Sequence, residues 1–298
     1  LFYLEHSNKQ MEVRRCMVRL LFILLFSVSV CYGQANRFAG FGSRVTFGCS
    51  SVTYLTKAQM FIDSSGITDT VEIRAIKELT KDLMDSCLWD SLYVVAPLVG
   101  STNNSTRYNL ISNNYQITWH GTGTFGAYGV QGNGTNFYGS FGFNPSVDYT
   151  SPFNILFGIY LGLNIDAVQS AIGSVNGVFA GYNIFPRTSN TLYSNSGETL
   201  GSSSYTNTDS KGLYLVTRKA PITAITLKNG ITIATNLGIL AFPSPTYEML
   251  IGARSDSGTP LYFSTNKIGL VVVGRGLIYE ESIRLSNIFQ KFLNTLGR

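Results

Sequence analysis

Charge is what this sequence has least of. Asp, Glu, Lys and Arg make up 13% of its 298 residues, about half the ~25% usual for soluble domains. Coiled coils and long solvated helices depend on Lys, Glu and Ala, so that class is excluded. Nucleic-acid binding needs clustered Lys and Arg to neutralise phosphate. No window carries such a cluster, although the formal net charge is +5. Histidine occurs twice and cysteine four times, and past residue 33 only His120, Cys49 and Cys87 remain, too few for a zinc centre of the His/Cys type. No apolar run reaches the ~20 residues of a membrane-spanning helix.

Aromatic and small polar residues fill the gap. There are 17 Tyr, 19 Phe and 30 Gly, with many Ser, Thr and Asn. At 44% hydrophobic residues the chain can build a core, which excludes general disorder. The length fits one large domain or two small ones at ~100–200 residues each.

The first 33 residues read as a processing segment. Residues 1–10 precede the first Met. Arg14, Arg15 and Arg19 make a basic region, the apolar run Leu20 to Val30 follows, and Cys31-Tyr32-Gly33 ends in a small residue. That is the plan of a secretory signal peptide cut before Gln34. Its loss removes Lys9, Arg14, Arg15 and Arg19 with Glu5 and Glu12, so the net charge falls from +5 to +3. The mature form is expected to be secreted or on the cell surface, with no membrane contact after cleavage. It keeps Cys49 and Cys87, which either pair as a disulfide in an oxidising compartment or are two buried thiols.

Residues 34–65 show no clear period and read as a lead-in. A helical segment follows over 66–91. Val71, Ile73, Ile76, Leu79, Leu83 and Cys87 recur near helical spacing from Asp69 to Trp89. Asp69 with Glu72 is a capping-box-like start. From Leu92 to Val273 no helical period persists. Short runs rich in Tyr, Phe, Ile, Val and Thr alternate with Gly/Asn/Ser/Asp clusters, the mark of strands. They include 115–119, 153–161, 178–185, 213–217 and 268–273. Asn229-Gly230 between 225–228 and 231–233 predicts a type I′ hairpin. The stretch 194–209 reads as a surface loop. Glu280 to Leu296 closes the chain as a second helix, with Ile283, Leu285, Ile288, Phe289, Phe292, Leu293 and Leu296 on one stripe. Many short strands with terminal helices predict a mainly β sandwich or jelly roll over 92–298.

Catalytic chemistry has little to work with. His120, the one histidine past the leader, lies in a strand-like run with no Gly-x-Ser-x-Gly elbow. Gly121-Thr-Gly-Thr-Phe-Gly126 matches a dinucleotide fingerprint, but no helix-forming sequence follows, so these are turn glycines. Asp148, Asp166, Glu198, Asp209, Glu248 and Asp256 are scattered rather than paired as glycoside hydrolysis needs. Asp209 and Asp256 are the candidate calcium ligands, with solvated loop acids as the alternative. No other cofactor is expected. The remaining chemistry is aromatic. Tyr193, Tyr205 and Asn207 are the candidate glycan-binding residues, with core packing as the competing role.

Three stretches in order resemble a known family. The first runs from Phe61-Ile-Asp-Ser-Ser-Gly-Ile-Thr-Asp69 to Leu88-Trp-Asp90 and Val95-Ala-Pro-Leu-Val-Gly100. The second is Gly132-Asn-Gly-Thr-Asn136 with Phe143-Asn-Pro-Ser146. The third is Ile251-Gly-Ala-Arg254, Phe263-Ser-Thr265, Gly274-Arg-Gly-Leu277 and Leu296-Gly-Arg298. This order is similar to concanavalin A-like (laminin-G-like) modules of phage tail and other virion proteins and related bacterial secreted proteins. It covers roughly residues 60–298. The resemblance implies a jelly-roll sandwich with one preceding and one C-terminal helix, and a virion-structural or glycan-binding role. It implies no conserved catalytic residues. The family caps its last helix with Thr or Ser, where Ile278 stands here.

The combined expectation is a secreted, non-enzymatic β-sandwich that binds a surface glycan or polysaccharide. A phage tail component and a sandwich-fold hydrolase or lyase are the alternatives. Homo-oligomer or virion assembly is a further partnership, and nucleic acid is excluded.

Overall fold

Alternation of side chains along the strands decides the layering. In β6 (Ile155–Leu161) all seven residues are buried. Ile155, Phe157, Ile159 and Leu161 enter one core, and Leu156 and Tyr160 enter another. A strand covered on both faces reads as a continuous apolar run, as here. Gly158 sits where a Cβ would lie 2.4 Å from the Tyr214 carbonyl oxygen, so no larger residue fits that crossing.

The computed structural model describes residues 51–177, 180–197, 204–221, 223–237 and 243–298. The chain opens with helices α1 (Ser51–Ser65) and α2 (Thr70–Asp85). Strands β1 (Leu92–Ala96), β2 (Thr118–His120), β3 (Thr124–Gly126), β4 (Gly129–Gln131) and β5 (Tyr138–Ser140) follow. A short helix, α3 (Pro145–Asp148), precedes β6. Next come β7 (Ile172–Asn176), β8 (Ala180–Thr188), β9 (Thr191–Ser196), β10 (Ser204–Thr206), β11 (Gly212–Ala220), β12 (Thr223–Lys228) and β13 (Ile231–Leu237). Strands β14 (Leu250–Ile251), β15 (Arg254–Asp256), β16 (Thr259–Leu261) and β17 (Lys267–Gly274) lead to helix α4 (Tyr279–Thr295).

The first sheet has the order β13-β12-β11-β6-β17-β4-β3, with β1 also on β17. The second has the order β10-β9-β8-β7-β14-β5-β2. Strand β15 runs parallel to β7 and pairs with β16. Val271, Val273, Tyr214 and Val216 of the first sheet meet Ile172, Tyr182, Ile184, Leu192 and Ile251 of the second in the inter-sheet core. On the first sheet's other face, Leu213, Leu215, Leu270 and Val272 pack under Ile76, Leu79 and Leu83 of α2 and Leu285, Phe289 and Phe292 of α4. The fold is therefore a mainly β sandwich carrying a helical layer, as the sequence predicts.

Local detail departs from expectation at identifiable places. The lead-in holds a helix, α1, whose buried side is Ala58, Phe61, Ile62 and Ser65. Asp69 caps α2, its Oδ1 accepting from Val71 N at 2.8 Å and Glu72 N at 2.9 Å. Glu72 does not reach back to close a capping box. Its carboxylate accepts from Gly100 N at 3.1 Å. The helix stops at Ser86, because Cys87 turns into the left-handed region (φ 58). The Asn229-Gly230 turn forms as predicted, with φ 51 and 78, joining β12 to β13. No helix follows Gly121 to Gly126, which form a turn and β3. The stretch 194–209, expected as a surface loop, contains the end of β9 and all of β10, and its residues 198–203 lie outside the described residues.

Two devices secure α4. At its start Ile278 offers no side-chain cap, and Glu281 Oε2 accepts from Ile278 N at 3.1 Å instead. Past its end the Arg298 guanidinium donates to the carbonyls of Pro97 (3.0 Å), Gly269 (2.6 Å), Leu98 (3.0 Å) and Ala127 (3.0 Å). Burial pushes its pKa down to about 10, with Glu72 acting in the opposite direction. The first and third stretches of the resemblance thus meet at one junction: Arg298 donates to the Pro97 and Leu98 carbonyls, and Gly100 N donates to Glu72 of α2.

Candidate functional site: an aromatic strip on the second sheet

Among the described residues no helix packs on the second sheet's outer face. Strands β2 and β5 are in register, Trp119 with Gly139 and His120 with Tyr138. Trp119 and Phe137 turn into the core and stack at 5.3 Å. Alternation then sends His120 and Tyr138 to the opposite face. Their rings stack at 4.6 Å with 13° between planes. His120 Nε2 and Ser140 Oγ are 2.9 Å apart. Phe263 lies against Tyr138, 6.1 Å between centroids.

A second ring group adjoins Phe263 through the chain itself. Tyr262 adopts φ 59, a left-handed conformation costly for a non-glycine residue. Ser170 N holds it by donating to its carbonyl at 2.8 Å. Its ring meets Phe185 of β8 edge-on at 5.3 Å. The Arg254 guanidinium lies 4.4 Å from the Tyr262 centroid and 5.5 Å from that of Phe185, within the ~6 Å of a cation–π contact. Arg254 Nη2 also pairs with Asp256 Oδ2 at 2.6 Å. Arg254 is 7% exposed and Tyr262 39%, so the cation is packed in place and the ring is presented. Arg254 Nε is buried without a hydrogen-bond partner among the described residues.

The residues singled out in the sequence are not brought together. Tyr193 pairs with Phe185 in register and shares its outward face, beside the strip. Tyr205 points the other way. It packs on the inter-sheet core, and its hydroxyl donates to Asn236 Oδ1. Asn207 is buried. Its Nδ2 donates to Pro186 O (2.5 Å) and Tyr214 Oη (2.9 Å), and its Oδ1 accepts from Lys228 Nζ (3.0 Å). Burial lowers the Lys228 pKa, with Asp209 opposing. Tyr205 and Asn207 therefore close the sandwich edge and are withdrawn as surface ligand contacts. Cys87 is exposed, so it is not a buried thiol. Cys49, Glu198 and the leader lie outside the described residues.

The acids are engaged locally. Asp148 accepts from Tyr115 Oη (2.8 Å) and Asn144 N (2.6 Å). Burial and then Asp148 push the Tyr115 phenol up to about 12. Asp166 accepts from Ser189 N at 2.6 Å and pairs with Arg187 at 3.3 Å. Glu248 accepts from Gly142 N at 3.0 Å. Of the two candidate calcium ligands, Asp256 is held by Arg254, and Asp209 accepts from Lys211 N at 2.9 Å. Among the described residues no three His, Cys, Asp or Glu side chains converge to hold a metal ion. None of their helices is long and apolar enough to cross a membrane.

No protein-family model matches the chain, and no curated protein does. Solved structures do. The receptor-binding domain of botulinum neurotoxin C/D mosaic serotype aligns with a TM-score of 0.49 at 8% identity, over 67% of this chain and 51% of that one. Domain 4 of AbnA, a GH43 extracellular arabinanase from Geobacillus stearothermophilus in complex with arabinotriose, aligns with a TM-score of 0.45 at 10% identity. That match covers 66% of this chain and 98% of that one. The CBM40 of the Ruminococcus gnavus IT-sialidase gives 0.37 at 16% identity, over 49% and 92%. The chain spans 24% of the length of the NanB sialidase from Streptococcus pneumoniae it also matches. These likenesses concern the course of the backbone alone.

Proposed function

We propose that this protein is a secreted, non-enzymatic, carbohydrate-binding β-sandwich that takes its glycan on the aromatic strip of the second sheet. The strip carries the reading. Rings of His120, Tyr138, Phe263 and Tyr262 lie on one face that no helix of the described residues covers. Aromatic side chains give rigid, amphipathic contact area at low entropic cost, and their faces suit the C–H faces of sugars. Asp256, Ser140 and the Tyr hydroxyls supply polar partners at the margin.

One geometry on the strip could be read as catalytic. Ser140 and His120 stand as a nucleophile and base would. A working triad also needs a group orienting Nδ1 and donors for an oxyanion. Among the described residues no carboxylate bonds to His120. Ser140 is paired in register with both Thr118 and Leu250, so its backbone is committed to the ladder. These points support binding without turnover.

The test is a glycan array followed by calorimetry on exported protein. Tyr138→Ala with Tyr262→Ala should abolish binding without changing the melting temperature, whereas Tyr205→Phe should leave binding intact. Reducing-end release from a bound glycan, lost in Ser140→Ala, would overturn the non-enzymatic reading. Export itself predicts an N-terminus at Gln34, and retention of residues 20–30 would exclude cleavage there.

A further inference from the structure

Resting on that reading, we infer that the ligand is a neutral glycan chain gripped along its length by two subsites, not an acidic terminal sugar. The strip is divided. One ring group is His120, Tyr138 and Phe263, and the other is the exposed ring of Tyr262, backed by the buried Phe185 and Arg254. They meet at the peptide joining Tyr262 to Phe263, where the left-handed φ of Tyr262 turns the chain. A ligand filling one group leaves the other uncovered. A linear chain covers both, and the second contact is then intramolecular, which raises affinity with no new kind of interaction.

The electrostatics point to a neutral chain. Arg254 is the cation of the strip, and it is spent inside the fold. Asp256 answers its charge at 2.6 Å, and the rings of Tyr262 and Phe185 flank the guanidinium. Its side chain is 8% exposed, whereas that of Asp256 is 25% exposed. The polar group facing the ligand is therefore a carboxylate. It accepts from sugar hydroxyls and repels a sugar carboxylate or sulfate, the repulsive element that specificity requires. No acidic or basic side chain is hydrogen-bonded to or stacked on the His120, Tyr138 and Phe263 rings among the described residues.

Calorimetry would use the exported chain with gluco-, manno-, xylo- and arabino-oligosaccharides, from mono- to hexasaccharide. Oligogalacturonates of the same lengths and sialyllactose are the acidic probes. One neutral ladder should gain about tenfold or more in affinity with length and then level off. Its acidic counterparts should bind at least about tenfold more weakly, with the neutral series insensitive to salt. Tyr138→Ala and Tyr262→Ala should each bring the levelling-off to shorter chains. Asp256→Asn should narrow the gap between neutral and acidic probes. Equal affinity for mono- and hexasaccharide, or acidic probes binding more tightly with strong salt dependence, would overturn this inference and leave glycan binding standing. Failure of every probe and of the array to bind would instead remove the binding reading itself.

Discussion

The two sheets solve the same problem in opposite ways. Each turns one face into the shared core, where Phe157, Ile159, Val271 and Val273 meet Tyr182, Ile184 and Ile251. Their outer faces then diverge. The first sheet's presents Leu156, Leu213, Leu215, Leu270 and Val272, and α2 and α4 cover it. Around His120, Tyr138 and Tyr262 the second sheet's outer face presents rings and small polar groups, and no helix of the described residues covers it. Aliphatic side chains have nothing to offer water and call for a layer. Aromatic rings with polar margins tolerate exposure and can serve a ligand. Stability should therefore concentrate on the covered side and recognition on the open side.

Breaking the covered side should have the largest effect. Phe289 is fully buried beneath α4, and Phe→Ala in a core typically costs ~3–5 kcal/mol. Phe289→Ala should lower the denaturant midpoint of the whole sandwich. Removal of residues 279–298 should do so more severely. An unchanged midpoint for that truncation would mean that the apolar stripe serves an assembly interface. Arg298→Gln comes next. It strips charged donors from four carbonyls, and hydrogen bonds to charged groups are worth about 1.5–3 kcal/mol each before compensation by water. A loss of about 2–3 kcal/mol is expected, with glycan binding unaffected.

Alkali tests the cores rather than the layer. An unfolded tyrosine ionises near ~10. Burial pushes Tyr115 up to about 12 and holds Tyr149 and Tyr214 above their ordinary value. The folded state thus keeps protons that the unfolded chain releases. Their stabilising contribution is full below pH ~10 and is lost as pH rises through about 12. Melting temperature should fall across that window, and the buried phenols should ionise only as the fold is lost. Complete phenolate absorbance from an intact fold would contradict the packing of Tyr149, whose hydroxyl donates to Leu156 O at 2.9 Å.

The smallest stability effects belong to exposed positions. Tyr138→Ala on the open side should cost less than ~1 kcal/mol while shortening the glycan length at which affinity levels off. Lys291→Ala breaks an exposed pair with Asp82 and should fall within ~0–1 kcal/mol. A large loss from either would erase the division between the two sides.

What was legible in the sequence follows the same physics. Helix α2, the Asn229-Gly230 hairpin and the stripe of α4 rest on local signals, and all three are found. Helix α1 escaped notice because Leu55 and Met60 are exposed on it and blur the stripe of Ala58, Phe61 and Ile62. In the Ser/Thr/Asn-rich stretch 194–209 composition suggests a loop, whereas pairing of β9 with β8 and of β10 with β9 makes strands of 194–196 and 204–206. Tyr205 and Asn207 were misassigned with it. The strip draws on residues 120, 138, 185, 254 and 262–263, which only sheet register brings together. Its one local trace is the alternation of Trp119 with His120 and of Phe137 with Tyr138, one member inward and one outward.

The helical layer is drawn from both ends of the described chain, α1 and α2 before the strands and α4 after them. During synthesis every strand of the first sheet leaves the ribosome before α4 does. Until then Leu215, Leu270 and Val272 lack their Phe289 and Phe292 partners. Folding of the nascent chain is thus vectorially incomplete. The last helix acts as a latch, and an interrupted translation product would offer chaperones and proteases an aliphatic sheet that α2 covers only in part.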